Sequence, residues 1–260
     1  MKIIDPAKVR IIDLSTPYDW NYSTPTYQVA KDLRLYQLAW TFTLPRDGFN
    51  MSEYFLGCHI GSHMDTPKHW VRESEYTGKY YALEEVPLEA LYGDTVVLDI
   101  PKGAGAQGIC ADDFEKACKD QSLEVKEGDI VLVHTGWGHY FHDDPKNNYY
   151  FYSDGPGLDL DGGDWLISKK IKGYGQDTMG TQCKRETTFY LTEKEKASGQ
   201  SYITHIEPIH HLVLKNDILL FEHLYNLDKI KGRRVTCGFF PLSLVGSEAS
   251  PIRALAFLEE

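Results

Sequence analysis

Short runs of apolar residues, each bounded by turn-forming residues, recur along the chain and predict β-strands. Residues 9–14 read VRIIDL, and residues 35–44 read LYQLAWTFTL. Two further runs, TVVLDI at 95–100 and IVLVH at 130–134, each follow a Gly-Asp pair. Apolar runs of this length between turn residues are typical of buried strands. The pattern therefore predicts four strands, of which the last two are buried.

Other segments carry the pattern of short helices. Residues 112–119 read DDFEKACK, with acids in the first turn and a lysine in the last, as the helix dipole favours. Residues 163–172 and 207–215 are also predicted to be helical. We therefore predict one mixed α/β domain over residues 1–260, with insertions near residues 141–163 and 181–203, where polar and turn-forming residues are dense.

Composition excludes several classes of function. The chain has 260 residues, a formal net charge of −11 and no long basic stretch, which argues against nucleic acid or an anionic membrane as a partner. No apolar run approaches the roughly eighteen residues of a membrane span. The first residues lack the apolar segment of a secretory signal, so we expect a cytoplasmic protein. Five scattered cysteines without a CxxC pair argue against a disulfide framework or a four-cysteine zinc site.

The densest chemistry lies in residues 59–70, HIGSHMDTPKHW, which contain three of the ten histidines. Gly61 and Pro67 disfavour a helix, so we expect a loop that turns at the glycine. His63 and Asp65 are two residues apart, and in an extended segment their side chains point the same way. The segment therefore predicts a local cluster of imidazole and carboxylate groups.

The turn also brings His59 towards His63 and Asp65. Two imidazoles and a carboxylate are a suitable ligand set for Zn²⁺ or Mn²⁺, and the two oxygens of Asp65 allow it to bridge two ions. His69 returns towards the same space after the proline. It need not be a ligand, because an unligated histidine beside activated water is well placed to move protons.

The motif resembles a known family signature. HIGSHMDTPKHW is similar to the HxGTHxDxPxH pattern of the putative cyclase family, with Ser62 where threonine is usual. That family includes bacterial kynurenine formamidases, isatin hydrolases and some dienelactone hydrolases. The likeness covers nearly the whole chain apart from the two insertions, because it extends to residues 11–15 (IIDLS), 175–178 (GQDT), 210–214, 221–227, 241–242 and 250–254.

The resemblance implies a swivelling β/β/α fold, in which flanking helices cover a mixed sheet, and assembly as a homodimer or homotetramer. It also implies a site for one or two divalent ions, Zn²⁺ or Mn²⁺. The first ion would be bound by His59, His63 and Asp65. The second would share Asp65, and we expect it to be held more weakly.

The remaining ligands of the second ion are implied to be a histidine and a glutamate twelve residues apart. His210 and Glu222 have that spacing, whereas His211 fits one residue worse and stays an alternative. Glu222 lies within an apolar run, where a buried carboxylate is costly without a cation. His69 matches the family's catalytic proton carrier.

These features predict a metal-dependent hydrolase that opens a small cyclic amide or imide, similar to an isatin hydrolase. Kynurenine formamidase and lactone hydrolase are alternatives from the same family. A metal-binding protein without catalysis is the alternative from another class. A ring-bearing substrate would suit the aromatic side chains near the motif in sequence, although such residues fill ordinary cores equally well; they are Trp40, Phe42, Tyr54, Phe55 and Trp70.

Overall fold

The computed structural model describes residues 8–17, 36–103, 108–143, 155–181, 188–189, 205–206 and 208–259. The strands within these residues are β1 (Val9–Asp13), β2 (Tyr36–Phe42), β3 (Met51–Leu56), β4 (His63–Asp65), β5 (Tyr92–Asp99), β6 (Ile130–His134), β7 (Gly173–Gln176), β8 (Thr188–Phe189), β9 (His205–Ile206), β10 (Leu219–Glu222), β11 (Arg233–Pro241) and β12 (Ala249–Glu259). The α-helices are α1 (Leu44–Asp47), α2 (Ala111–Asp120), α3 (Tyr140–Asp143), α4 (Leu160–Ser168) and α5 (Pro208–Lys215).

One mixed sheet of eight strands organises the protein. Its strand order is β1-β12-β11-β5-β6-β7-β10-β4, and β4 also pairs with β12, so the sheet closes on itself. Strands β5, β6, β7 and β10 are parallel, and the other pairs are antiparallel. The short strand β4 therefore has a hydrogen-bonded neighbour on each side, which holds its residues firmly in place. Strands β2 and β3 form a separate hairpin.

The parallel strands are buried on both faces. Leu132 and Phe221 belong to a cluster on one face of the sheet, and the alternate residues Val131 and Leu220 belong to a second cluster on the other face. Helices α2, α4 and α5 cover the second face through side chains that include Phe114, Leu166 and Val213. Burial on both faces is the usual state of parallel strands, and it explains why β5, β6 and β10 contain continuous apolar runs.

The structure confirms strands at all four predicted runs, and α2 and α5 match the first and third predicted helices. The second helix begins at Leu160 rather than residue 163. Its start is capped by Asp159, whose Oδ1 accepts a hydrogen bond of 2.9 Å from the Gly162 amide. Gly162 itself is required by packing, because a Cβ there would lie 2.1 Å from the Ile109 carbonyl oxygen.

Most residues of the two predicted insertions lie outside the described ranges. The single-domain organisation and both insertions therefore stay predictions. No helix within the described ranges is both long enough and apolar enough to cross a membrane.

Candidate metal centre

Strand β4 brings two polar side chains of the motif into the closed sheet. His63 lies directly opposite Glu222 of β10, and Asp65 lies opposite Leu220. Residues directly opposite in an antiparallel ladder project on the same face, so the His63 and Glu222 side chains meet. His63, Asp65 and Glu222 are all buried.

Turns on either side of β4 gather the remaining histidines of the motif. Gly61 has a φ of 57°, in the left-handed region that glycine adopts most easily. The expected turn at this glycine is therefore confirmed. After β4, a 3₁₀ turn over Pro67–His69 redirects the chain. The His69 ring consequently stacks on the His59 ring, with 4.1 Å between the ring centroids.

Four buried side chains converge, and we name them the inner donor group: His63, Asp65, His210 and Glu222. His63 Nε2 lies 3.4 Å from Glu222 Oε2 and 3.7 Å from Asp65 Oδ1. His210 Nε2 lies 3.1 Å from Glu222 Oε1 and 3.8 Å from Asp65 Oδ2. Two imidazole nitrogens thus face two carboxylates across a small buried space.

A second set, the outer donor group, consists of His59, His69 and Asp65. Their potential ligand atoms lie within 4.8 Å of one another, and His59 Nδ1 is 3.0 Å from Asp65 Oδ1. The structure therefore brings together all six residues that the sequence singled out. It divides them differently from the implied arrangement, because His63 sits with Glu222 while His59 sits with His69.

The structure also separates the two adjacent histidines of α5. His210 is buried beside Glu222, whereas the His211 side chain is 39% exposed and its Nε2 lies 3.8 Å from Glu75 Oε2. The geometry thus places His210, rather than His211, at the centre.

Three hydrogen bonds fix the orientation of two inner donors, His63 and Glu222. His63 Nδ1 lies 2.8 Å from the Gly61 carbonyl oxygen, which accepts its proton and leaves the Nε2 lone pair facing the carboxylates. Thr181 donates to Glu222 Oε1 from both its amide and its hydroxyl, each at 2.7 Å. Thr181 was not predicted to belong to the site, because residue 181 opens the second predicted insertion. No local pattern links residue 181 to residue 222.

Ser62 ties the motif to two distant segments. Its hydroxyl donates to the His223 carbonyl at 2.7 Å and accepts from the Thr16 amide at 2.8 Å. The Ser62 amide in turn donates to Thr16 Oγ1 at 3.0 Å. The first two of these bonds need a hydroxyl group at residue 62. Serine and threonine both provide one, which explains why serine can stand where the family signature has threonine.

Proximity and burial set the charges of the centre. Burial opposes ionisation of Asp65, but the neighbouring histidines, His59 foremost, lower its pKa to about 2. Burial also opposes the imidazolium of His59, yet the Asp65 carboxylate raises the His59 pKa to about 10. For His69, burial lowers the pKa to about 4. Hydrogen bonding by neighbouring histidines holds the pKa of Glu222 well below its usual range, although burial favours the acid. Without metal, therefore, neutral pH leaves His59 cationic, His69 neutral and both carboxylates charged.

The polar atoms of the inner donor group fit a divalent cation. Neither oxygen of Asp65, nor Nε2 of His63, has a well-aligned hydrogen bond within the described part of the chain, although all three atoms are buried. Buried charges are normally paired or bound to metals, because an unsatisfied one is costly. Imidazole nitrogens and carboxylate oxygens are ligands that Zn²⁺ and Mn²⁺ accept. The residues present are therefore suited to such an ion.

The expected aromatic side chains do not all surround this centre. Trp70 does, because its ring centroid lies 5.4 Å from that of His69 and 5.9 Å from that of His210. Three others lie on the β2–β3 hairpin with more than half of their surface exposed, namely Trp40, Tyr54 and Phe55, and the Phe42 ring stacks on Phe49. Proximity in sequence was thus a poor guide to the walls of the site.

The motif and fold agree with a comparison against known families. Residues 12–182 match the sequence profile of the family described as Putative cyclase. The chain belongs to the putative cyclase family. An isatin hydrolase from Roseibium aggregatum is 26% identical over 249 residues, which cover 94% of this chain and 86% of that protein. Cyclase-like protein 1 from Arabidopsis thaliana is 27% identical over 211 residues, covering 79% and 69% of the two chains.

Solved structures of family members share the fold. An isatin hydrolase bound to the product analogue thioisatinate superposes with a TM-score of 0.78 at 24% identity, covering 98% of this chain and 94% of that one. A structure described as a novel cyclase gives a TM-score of 0.73 at 17% identity, with coverage of 97% and 93%. The predicted cyclase-family fold, a mixed sheet with flanking helices, is therefore confirmed.

Proposed function

We propose that this protein is a metal-dependent hydrolase that opens a small cyclic amide or imide of the isatin type. The observation that carries the proposal is the inner donor group, in which buried imidazole and carboxylate atoms converge without well-aligned hydrogen bonds at Asp65 and at His63 Nε2. The similarity to isatin hydrolase over 94% of the chain supports hydrolysis as the reaction class. A non-catalytic metal-binding protein would need the ligands but would have no use for His69.

The ligands of this proposal are His59, His63, Asp65, His210 and Glu222. The inner donor group would hold one ion, and His59 together with Asp65 would hold a second. We infer that the second ion binds more weakly, because the His59 side chain is 32% exposed whereas the inner ligands are buried.

A bound divalent ion lowers the pKa of water and polarises a carbonyl group, which makes hydrolysis accessible at neutral pH. The chain supplies proton transfer and positioning. Neutral His69 accepts the proton of the attacking water as the water oxygen bonds to the carbonyl carbon. The same imidazolium then gives that proton to the leaving nitrogen as the C–N bond breaks. Trp70 lies beside His69 and offers an apolar ring face to a cyclic substrate.

Metal binding is expected to release a proton from His59. The carboxylate of Asp65 raises the His59 pKa to about 10 despite burial, so His59 carries a proton at pH 8. Only neutral imidazole coordinates a metal, so binding displaces that proton. Because this pKa lies above the working pH, apparent affinity should rise with pH until about pH 10. Isothermal titration calorimetry in buffers of different ionisation enthalpy measures the number of protons released.

The control for this titration is His59→Ala. At saturating metal, the wild-type protein should release about one more proton per chain than the variant does, because the variant has no His59 proton to displace. An equal number of protons from both proteins would show that His59 is not a ligand.

Substrate choice is tested by comparing kcat/KM for isatin, N-formylkynurenine and an aromatic lactone, each with Mn²⁺ and with Zn²⁺. We expect isatin to react fastest, because burial of a compact fused ring contributes roughly 25 cal/mol per Å² of apolar surface. A formamide preference of about tenfold, or about 1.4 kcal/mol, with both metals would instead make the enzyme a kynurenine formamidase. Metal binding without turnover of any substrate would favour the non-catalytic alternative.

The metal's identity, the homodimeric or homotetrameric state and the cytoplasmic location stay predictions. Elemental analysis of the purified protein and light scattering address the first two directly.

A further inference from the structure

His59 lies between two carboxylates that contact different nitrogens of its ring. Its Nδ1 is 3.0 Å from Asp65 Oδ1, and its Nε2 is 3.4 Å from Glu248 Oε1. An imidazole has two nitrogens with distinct roles, and the partner of one nitrogen decides whether the other is free to coordinate. Glu248 belongs neither to the family signature nor to either donor group.

The backbone holds Glu248 in this position. Its carbonyl oxygen accepts hydrogen bonds from the amide and hydroxyl of Thr66, at 2.9 and 2.8 Å. Thr66 directly follows Asp65, and the next residue after Glu248, Ala249, pairs with Asp65 in the sheet. The residue that contacts the far side of the His59 ring is thus attached to the segment that carries the near carboxylate.

His63 has a matching arrangement with the nitrogens reversed. Its Nδ1 donates to the Gly61 carbonyl at 2.8 Å, so its Nε2 faces the centre. For His59 the far partner is at Nε2, and Nδ1 faces the centre. His59 and His63 therefore require opposite tautomers, and each has an acceptor placed to select the correct one.

We propose that Glu248 is a positioning residue for the metal centre. Its carboxylate accepts the Nε2 proton of His59, which directs the Nδ1 lone pair towards the ion beside Asp65 and makes the imidazole a stronger ligand. This inference rests on the proposed function, because it assumes that His59 coordinates a metal. Carboxylate partners of metal-bound histidines commonly change affinity by about 10- to 100-fold.

The test measures binding of Co²⁺ alone to the purified protein and its variants, with the visible absorption spectrum of the bound ion as a second readout. Glu248→Ala should weaken binding at the His59 site by about 10- to 100-fold and alter the spectrum. Glu248→Gln should lose less, because its amide oxygen still accepts the Nε2 proton. The control Glu89→Gln removes an exposed carboxylate elsewhere and should change neither readout.

The outcomes separate this inference from the proposed function. If the wild-type protein binds no Co²⁺, the proposed function itself fails. If it binds Co²⁺ and both Glu248 variants match it in affinity and spectrum, only the positioning role is wrong. Loss of one ion per chain in both variants, with the remaining ion unchanged, would make Glu248 a ligand and also overturn the inference. The Glu248 side chain is 39% exposed, so both variants should fold, which circular dichroism checks.

Discussion

Asp65→Asn is expected to abolish metal binding and, with it, roughly 10³-fold or more of the turnover. Asp65 is the one residue shared by the inner and outer donor groups. The substitution keeps the shape of the side chain but removes its charge. A bound ion contributes several kcal/mol to catalysis of this kind, and each 1.4 kcal/mol corresponds to about tenfold in rate.

The variant should still fold. Burial lowers the pKa of His59, but Asp65 foremost, with Glu248 and Glu222, raises it to about 10. Once the Asp65 carboxylate is replaced, His59 can lose its proton or keep it beside Glu248, so no unpaired cation is left in the centre. The isosteric amide also leaves no cavity beside Met64 in strand β4. We therefore expect a folded protein without a functional centre.

Thermal unfolding with and without metal separates these effects. At a metal concentration of a hundred times Kd, binding should stabilise the wild-type protein by about 2.7 kcal/mol, whereas Asp65→Asn should gain almost nothing. The matched control is Asp129→Asn. Asp129 directly precedes strand β6, and its buried carboxylate lies 2.8 Å from the Arg234 guanidinium. That control should lower stability yet keep the full increment from metal. An undiminished increment in Asp65→Asn would disprove the proposed ligand role.

The sequence singled out the residues that cluster here because most of them are local or regularly spaced. His63 and Asp65 lie two residues apart in one strand. The turn at Gly61 was predictable because glycine adopts a positive φ most easily. Glu222 stood out as a carboxylate within an apolar run, and its distance from His210 matched the family's spacing. These are short-range properties that a linear pattern can carry.

The grouping and support of those residues depend on contacts that no linear pattern carries. The register of β4 against β10 places His63 opposite Glu222, and that register is a property of the closed sheet. Thr181 and Glu248 reach the centre from segments far along the chain, Thr181 through its amide and hydroxyl and Glu248 through its carboxylate. The expectation that the aromatic residues of the β2–β3 hairpin line the site was wrong for the same reason. Their nearness to the motif in sequence does not determine where they lie in the fold.

His69→Ala addresses the step that distinguishes an enzyme from a metal-binding protein. Burial lowers the His69 pKa to about 4, so the ring is neutral at pH 7 and can accept a proton. Since the pKa is depressed, this capacity should persist as pH falls and be lost only near pH 4. Removing a general acid–base of this type commonly costs about 10²- to 10⁴-fold in rate. We expect a loss of that size in kcat/KM, with metal content unchanged.

Metal content decides how the result is interpreted, because His69 also lies within ligand distance of His59 and Asp65. If His69→Ala holds as many ions per chain as the wild-type protein, the imidazole carries protons. If it holds one fewer, the imidazole is a ligand of the outer ion and another group must move the proton.

His211→Ala is the matched control. His211 is exposed and contacts Glu75, so this variant should retain full activity and metal. His63→Ala should instead lose metal and activity together, since His63 Nε2 faces both carboxylates of the inner donor group.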